Sequence, residues 1–372
     1  MKKIGIYIHI PFCIRKCSYC DFYSITWNNV SEDKFAEAVS NEIKGYKDRV
    51  KKDYTIDTIF FGGGTPTIIK PESLGKIIKT LNEIIEIDKN CEITMEANPN
   101  TLTEDKLRQY KDMGINRLSI GIQSLNDEIL KKIGRVHCST EALDAIDMAV
   151  NAGFENINAD IMFNIPGQTI YDIEDTLYKI IHKGVKHISF YSLKLEEGTL
   201  MYVMEKLNKI TMPDEDYERE MYYAGRNVME KSNLHQYEIS NFSHEGFECR
   251  HNLKYWNQEE YIGFGPSAHS FLNNVRYSNS SDLKLYCEEN SSMSCQRTIQ
   301  EKLGRDDLMF EYIMLRLRLK EGLNIKTFND KFSADFCKLY SKQINDLLKF
   351  KNYITITKHN ITCYNLIYIY FF

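Results

Sequence analysis

Apolar and polar positions follow a repeating two-part rhythm through the first half of the chain. Ile4 to Ile10 alternates and is β-branched at every second place, which predicts a strand. Ser31 stands as an N-cap before a helix with Phe35, Val39, Ile43 and Tyr46 on one stripe. Thr58-Ile59-Phe60-Phe61 reads as a short buried strand ending in Gly62-Gly63-Gly64-Thr65-Pro66. Pro71 opens a helix carrying Leu74, Ile77, Ile78, Leu81 and Ile85. Glu92 to Glu96 is the third strand, and Thr103 caps a helix that Gly114 closes. Arg117 to Gly121, Ile157 to Met162 and His187 to Ser192 complete a set of six strands. The helices between them are capped by Ser139 and Thr169, and end near Gly153 and Gly184.

Six strands alternating with helices imply a parallel α/β sheet. The number suits an incomplete (β/α) barrel better than a closed eight-stranded one, with a doubly wound open sheet as the alternative. The rhythm breaks near residue 205. Residues 214 to 232 read as helical, and 235 to 280 as irregular, aromatic and rich in Asn and Ser. From 305 a helix places Leu308, Tyr312, Leu315 and Leu319 on one face, and Ile354 to Thr357 and the last few residues read as small strands. The expected organisation is therefore 1–205, 206–300 and 301–372, with the last two forming a C-terminal α+β part whose end is helical and winged-helix-like.

Composition narrows the function classes. The 372 residues are long enough for two or three domains by the usual size of about 150 residues each. Lys+Arg total 47 against 52 Asp+Glu, a net charge of −5, which argues against a nucleic-acid partner held by basic charge. No apolar run reaches the roughly 18–20 residues of a membrane span; the most apolar stretch is Leu366 to Phe372. Lys2 and Lys3 precede an apolar stretch, as in a signal peptide, but that stretch alternates, meets Pro11 and lacks a small-residue cleavage site. A cytoplasmic location is expected, in which the ten cysteines should not form a disulfide framework. Cys91, Cys138, Cys287, Cys295, Cys337 and Cys363 are scattered singly, as small buried hydrophobes usually are.

Cys13, Cys17 and Cys20 are not scattered. Their x3–x2 spacing puts three thiolates on one loop after the first strand. Structural zinc usually takes four ligands in two separated pairs, and His9 is the one nearby candidate for a fourth. Three cysteines suit a cubane iron–sulfur cluster with one iron left open to a small chelating cofactor. Parallel barrels gather their sites at the C-terminal strand ends. Gly63, Gly64 and Thr65 stand at the second, Glu96 at the third, Gln123 at the fourth and Asp160 on the fifth, with Arg135 following the fourth. Each alone reads as a cap or a surface charge. Together they suit a cationic sulfonium ligand with an amine, a carboxylate and a ribose.

The cysteine spacing, with Tyr19 before the third cysteine, resembles the radical S-adenosylmethionine (SAM) superfamily. The strand-end residues, in order, are similar to its HemN/HemW branch. The resemblance implies a partial (β/α)6 radical SAM barrel, a [4Fe–4S] cluster on Cys13, Cys17 and Cys20, and SAM held by Tyr7, Gly63, Gly64, Thr65, Glu96, Gln123, Arg135 and Asp160. Tyr7-Ile8-His9-Ile10-Pro11-Phe12-Cys13 and His251-Asn252-Leu253-Lys254-Tyr255-Trp256, an HNxxYW motif, resemble HemW-type chains, as does Gly263 to Ser270. There the motif histidine is associated with haem, which makes 206–300 a haem-associated region. Imidazole suits iron, and Tyr255 and Trp256 offer flat apolar surface. The plain alternative is a hydrogen-bonded structural His251; Cys249 is a competing ligand, and His269 lines the site or fixes its loop.

What the resemblance implies is a haem chaperone delivering haem to a haem-requiring target, such as a respiratory membrane enzyme. Peripheral docking at the inner membrane face is compatible, and a flavodoxin or ferredoxin would supply electrons. The rival is oxygen-independent coproporphyrinogen III oxidase activity. Against it, that enzyme has a further cysteine where Phe22 stands and a long N-terminal extension, whereas twelve residues precede Cys13. A haem-degrading radical SAM methyltransferase and a zinc module are further alternatives. Whether SAM cleavage accompanies haem transfer is left open by the sequence.

Overall fold

The computed structural model describes residues 1–27, 32–50, 53–291, 297–347, 354–357 and 359–363. The expected cap Ser31, Cys295 and the apolar stretch from Leu366 lie outside the described residues. Six strands form as the rhythm predicts: β1 (Lys2–Ile10), β2 (Tyr54–Gly63), β3 (Glu86–Ala97), β4 (Arg117–Gln123), β5 (Asn156–Phe163) and β6 (His187–Ser192). Each pairs in parallel with the next, so the order never reverses. A doubly wound sheet would reverse at its switch point. This is instead the wall of an open (β/α)6 arrangement.

The helices between them are α1 (Glu32–Gly45), α2 (Pro71–Ile84), α3 (Glu104–Asp112), α4 (Asp127–Lys132), α5 (Ser139–Asn151) and α6 (Ile170–His182). The Thr103 hydroxyl accepts from the Lys106 amide, and Thr169 and Asp172 cap each other's backbone. Ser139 is not the cap it was expected to be. It is the first helical residue, and the Cys138 amide before it donates to the Glu141 carboxylate at 2.8 Å. The physical reason is that Glu141 at the third helical position reaches back one residue further than the serine.

Alternation along the strands decides what faces what. Ile4, Ile6, Ile8 and Ile10 are fully buried in one core with Phe35, Val39 and Ile43 of α1 and Leu74, Ile77 and Leu81 of α2. The intervening positions point the other way. Tyr7, Phe60, Glu96, Arg117, Ser119, Asn158, Asp160 and Ser189 thus meet around one inner chamber. A closed barrel of this kind fills its interior with branched apolar side chains. Here the inner face is mostly polar, so a chamber remains.

The stretch 235–280, expected to be irregular, carries five short strands: β7 (His235–Gln236), β8 (Asn241–Ser243), β9 (Tyr261–Phe264), β10 (His269–Leu272) and β11 (Val275–Ser278). Runs of two to four residues are too short to show a period. With β12 (Thr298–Lys302) they extend the sheet to twelve strands, in the order β12-β11-β10-β9-β1-β2-β3-β4-β5-β6-β8-β7. β9 lies parallel beside β1, while β8 is antiparallel to β6. Helices α7 (Leu200–Lys206), α8 (Glu215–Lys231), α9 (Arg250–Trp256), α10 (Leu283–Glu289) and α11 (Arg305–Arg316) follow the sixth strand. Beyond them, strands Leu323–Asn324, Asn360–Cys363 and Ile354–Ile356 make a separate small sheet, packed with Tyr312, Phe328 and Phe336 in its own core.

One buried carboxylate ties the C-terminal additions to the first helix. Glu42 of α1, 1% exposed, accepts from the Gly265 amide (3.0 Å), Asn279 Nδ2 (2.9 Å) and the Tyr286 hydroxyl (2.7 Å), and pairs with Arg297. Removing one partner of a buried ion pair strands the other charge, at a cost of about 3–5 kcal/mol. Glu42→Ala is expected to lower unfolding stability by about that amount in urea titrations; a loss below about 1 kcal/mol would show that Arg297 finds other compensation.

Candidate functional site

The cysteine loop is anchored at its base. Phe12–Cys13 pairs with Ile25–Thr26 as a two-residue ladder, and the Cys20 amide donates to the Cys17 carbonyl at 3.3 Å. All three thiols are unpaired and half-buried. They line a cavity of about 140 Å3 whose walls include Gly63, Gly64, Thr65, Glu96, Gln123, Arg135 and Asp160. Seven strand-end candidates named from the sequence are therefore brought to one place. Tyr7 and His251 are not there. They line a second chamber of about 360 Å3 deeper in the sheet's hollow. The two share Phe22, Gly63, Glu96, Ser119 and Asp160, so they form one continuous cleft.

The thiols have donors aimed at them. Arg135 Nη1 lies 3.6 Å from Cys17 Sγ, and the Thr65 hydroxyl 3.8 Å from Cys13 Sγ. Burial raises the Cys13 thiol and pushes Cys20 up to about 11, so iron would have to displace their protons. Among the described residues no three His, Cys, Asp or Glu side chains converge on a point that could hold a single ion. His9, the candidate fourth ligand, has neither ring nitrogen free. Its Nε2 donates to the Tyr23 carbonyl (2.9 Å), so Nδ1 accepts from the Tyr7 hydroxyl (3.0 Å). Burial lowers its pKa to about 4, consistent with this neutral form.

Backbone shape explains the small residues. Gly63 has φ +111°, and a Cβ there would lie 2.6 Å from the His9 ring. A Cβ on Gly64 would lie 2.5 Å from the Phe12 carbonyl oxygen. Only glycine lets β2 pass this close to the cysteine loop. Gln123 has φ +69°, uncommon for a residue with a side chain. The β4–β5 pairing slips between Ile120 and Gln123, and this bulge turns Gln123 into the cavity, where the Tyr191 hydroxyl donates to its Oε1 at 2.7 Å. Arg135 is held by Asn98 Oδ1 (2.5 Å) and by the Gly121 carbonyl.

Two carboxyls give the cleft its electrostatic character. Glu96 accepts from the Gly63 amide at 3.1 Å, yet burial and the neighbouring Asp160 push its pKa up to about 8. Asp160 accepts from Asn158 Nδ2 (2.7 Å) and from the Ser119 hydroxyl (3.3 Å). Burial raises its pKa too, against those hydrogen bonds. A buried acidic pair of this kind favours a cationic guest, which relieves both the desolvation and the mutual repulsion.

His251 forms the floor. The Glu92 carboxylate accepts from the amides of Arg250 (3.1 Å) and His251 (3.0 Å), which holds the N-terminus of α9 against β3. His251 Nδ1 is 2.8 Å from the Thr58 hydroxyl and Nε2 is 2.8 Å from the Tyr255 hydroxyl. The residue is 1% exposed, and burial, then the charges of Lys254 and Arg117, lower its pKa to about 3. Ligation of iron by this imidazole requires one of those two bonds to be given up. Asn98, Tyr191, Ser119, Asn158 and Arg117 also line the cleft and were not singled out from the sequence. For Arg117 and Ser119 the period-two positions of β4 carried that signal.

Comparison with known proteins gives the family. Residues 7–180 match the model of the radical SAM superfamily, and residues 303–363 that of the HemN C-terminal domain. The chain is 33% identical over 350 residues to the heme chaperone HemW of Lactococcus lactis, covering 94% of this chain and 90% of that one. It is 34% identical to the heme chaperone HemW of Bacillus subtilis, covering 92% and 90%. In structure it is similar to the coproporphyrinogen III oxidase HemN of Escherichia coli, with a TM-score of 0.84 at 20% identity over 97% of this chain and 86% of that one.

The Glu96 shift has a measurable consequence in cofactor-free protein. The folded state holds a proton up to about 8 that the unfolded state releases near 4.5. The stability this proton lends is full below 4.5 and is lost as pH rises through 8. Thermal unfolding should show wild type losing ground to Glu96→Gln across that window. Parallel Tm-against-pH curves for the two would refute the shift.

Proposed function

The chain belongs to the radical SAM superfamily, with the HemW chaperones among its full-length relatives, and from that premise we propose that it is a haem chaperone. It holds a [4Fe–4S] cluster and SAM in the upper chamber and passes haem to a haem-requiring protein. The observation that carries this reading is the 94% coverage by a relative named a heme chaperone, in a chain whose three loop thiols share one cavity with the strand-end residues.

The radical SAM domain implies the cluster and SAM, and the residues fit both. Cys13, Cys17 and Cys20 would hold three irons. Gly63, Gly64 and Thr65 would let the methionyl part approach the backbone. Glu96 and Asp160 would take its cationic groups, with Tyr7 beside them in the second chamber, Gln123 would fix its remainder, and Arg135 would set Cys17 and the carboxylate in place. When bound, the cluster supplies one electron to the sulfonium. Because Glu96 holds a proton near neutrality, docking a cation beside it should release that proton. His251 is proposed as the haem ligand through Nε2, with the Tyr255 hydroxyl leaving as iron arrives.

The likeness to coproporphyrinogen III oxidase is one of fold, and it does not carry that activity here. Phe22, exposed at the cleft mouth, stands where the oxidase pattern has a cysteine. No helix among the described residues is long and apolar enough to cross a membrane. A cytoplasmic protein docking at a respiratory haem enzyme on the inner membrane face, with a flavodoxin or ferredoxin as donor, is the setting we propose.

Anaerobic reconstitution tests the reading in two arms. Haem titration of wild type should show binding, and coproporphyrinogen III should not be turned over; vinyl product at enzymatic rates would replace the chaperone with the oxidase. Cys17→Ala should lose the cluster absorbance. His251→Ala should keep it and weaken haem binding by more than the roughly 10- to 100-fold that loss of a ligand's outer partner costs. Tyr255→Phe frees Nε2 and should tighten haem severalfold, since one hydrogen bond of about 1 kcal/mol no longer competes. Unchanged haem affinity in both variants would move the ligand elsewhere.

A further inference from the structure

The lower chamber contains a charge that the SAM site does not use. Arg117 opens β4 and, by the alternation that also places Ser119, faces the hollow. It is 2% exposed. Its Nε has no hydrogen-bond partner, and the acids near it, Glu92 and Asp160, act on it only through their charge. The acid in β3 that could have paired with it, Glu92, is committed to the backbone of α9. Asp160 is committed to Asn158 and Ser119. A desolvated guanidinium is normally satisfied by a carboxylate or phosphate, often through two parallel hydrogen bonds. An orphan in a closed core would be destabilising, but this one lines about 360 Å3 of open space.

The rest of the chamber says what else the guest must be. Tyr7, Phe60 and Tyr255 supply aromatic walls, and Asn158 and Ser189 supply polar ones. No second arginine or lysine lines it, so there is one cation to satisfy and room for one carboxylate. Phosphate, with more negative charge, would face Asp160 and Glu96 across the same space. We propose that the lower chamber is a carboxylate-binding site, in which Arg117 receives a propionate-type carboxyl group entering past Phe22 beneath the SAM site. The carboxyl is either a free small acid or a side chain of haem. The site stands on the chamber's geometry, and only the haem source leans on the chaperone reading.

The probe is [13C]propionate added to wild-type protein at constant ionic strength, followed by carboxyl line broadening. Saturable binding is expected, with chloride unable to compete. Arg117→Gln should abolish it and Arg117→Lys should weaken it while retaining some, with circular dichroism confirming the fold. Should Arg117→Gln fail to fold, Ser189→Leu fills the chamber while leaving the guanidinium in place, and should also abolish binding. No saturable binding to wild type, or binding unchanged in Arg117→Gln or Ser189→Leu, overturns the proposal. The source is then read by titrating haem against its dimethyl ester. Weaker ester binding that Arg117→Gln no longer distinguishes assigns the site to haem; equal binding, with propionate still held, assigns it to a free acid. Loss of haem binding with propionate retained would sink the chaperone reading alone.

Discussion

A β-sheet that turns charges towards its own hollow cannot be packed dry. Glu96, Asp160, Arg117 and His251 all sit on the inner side of the first six strands, and each is almost wholly withdrawn from solvent or walled into the cleft. Filling that space with apolar side chains would leave their polar atoms unmet, at a cost exceeding the gain from packing. The outer face, with four isoleucines of β1 in alternating positions, carries the apolar burial instead. The hollow is therefore a consequence of which half of each alternation is polar, and the cofactor chemistry inherits it.

The cleft is graded from top to bottom. Sulfur donors and guanidinium stand at the mouth, an acidic pair in the middle, and a single cation with a neutral imidazole at the floor. Burial keeps the middle acids reluctant to ionise and the floor histidine reluctant to protonate. Arg117 and Arg135, whose charged forms are favoured by the groups around them, are the charges the cleft holds most firmly. The floor is set by helix α9, whose first amides are held by Glu92 of β3. A motif far along the chain thus meets residues of the first hundred.

Much of this was legible without coordinates. The strand–helix rhythm, the cysteine spacing and the strand-end residues each depend on local pattern, and pattern survives in sequence. Glu96, Gln123, Arg135 and Asp160 were found because strand ends can be counted. Arg117 was missed because one arginine at the start of a strand looks like a surface charge until its neighbours are known. The pairing of His251 with Thr58 and Tyr255 was also invisible, since it joins positions 193 residues apart in one case and depends on a helix end in the other. The short strands of 235–280 escaped because their pairing is imposed by the sheet they join.

Strand β9 limits where this chain can be cut. It docks in parallel against β1 through Gly5 to Ile8, so the opening strand is flanked on both sides only once the chain has been made past residue 264. A fragment ending near residue 205 would leave the backbone donors and acceptors along that side of β1 without a neighbour. Such an open, apolar margin is a template for self-association. Emerging chains would carry that hazard until residue 264 has been made, and expression of the first half alone would invite aggregation in place of an isolated working unit.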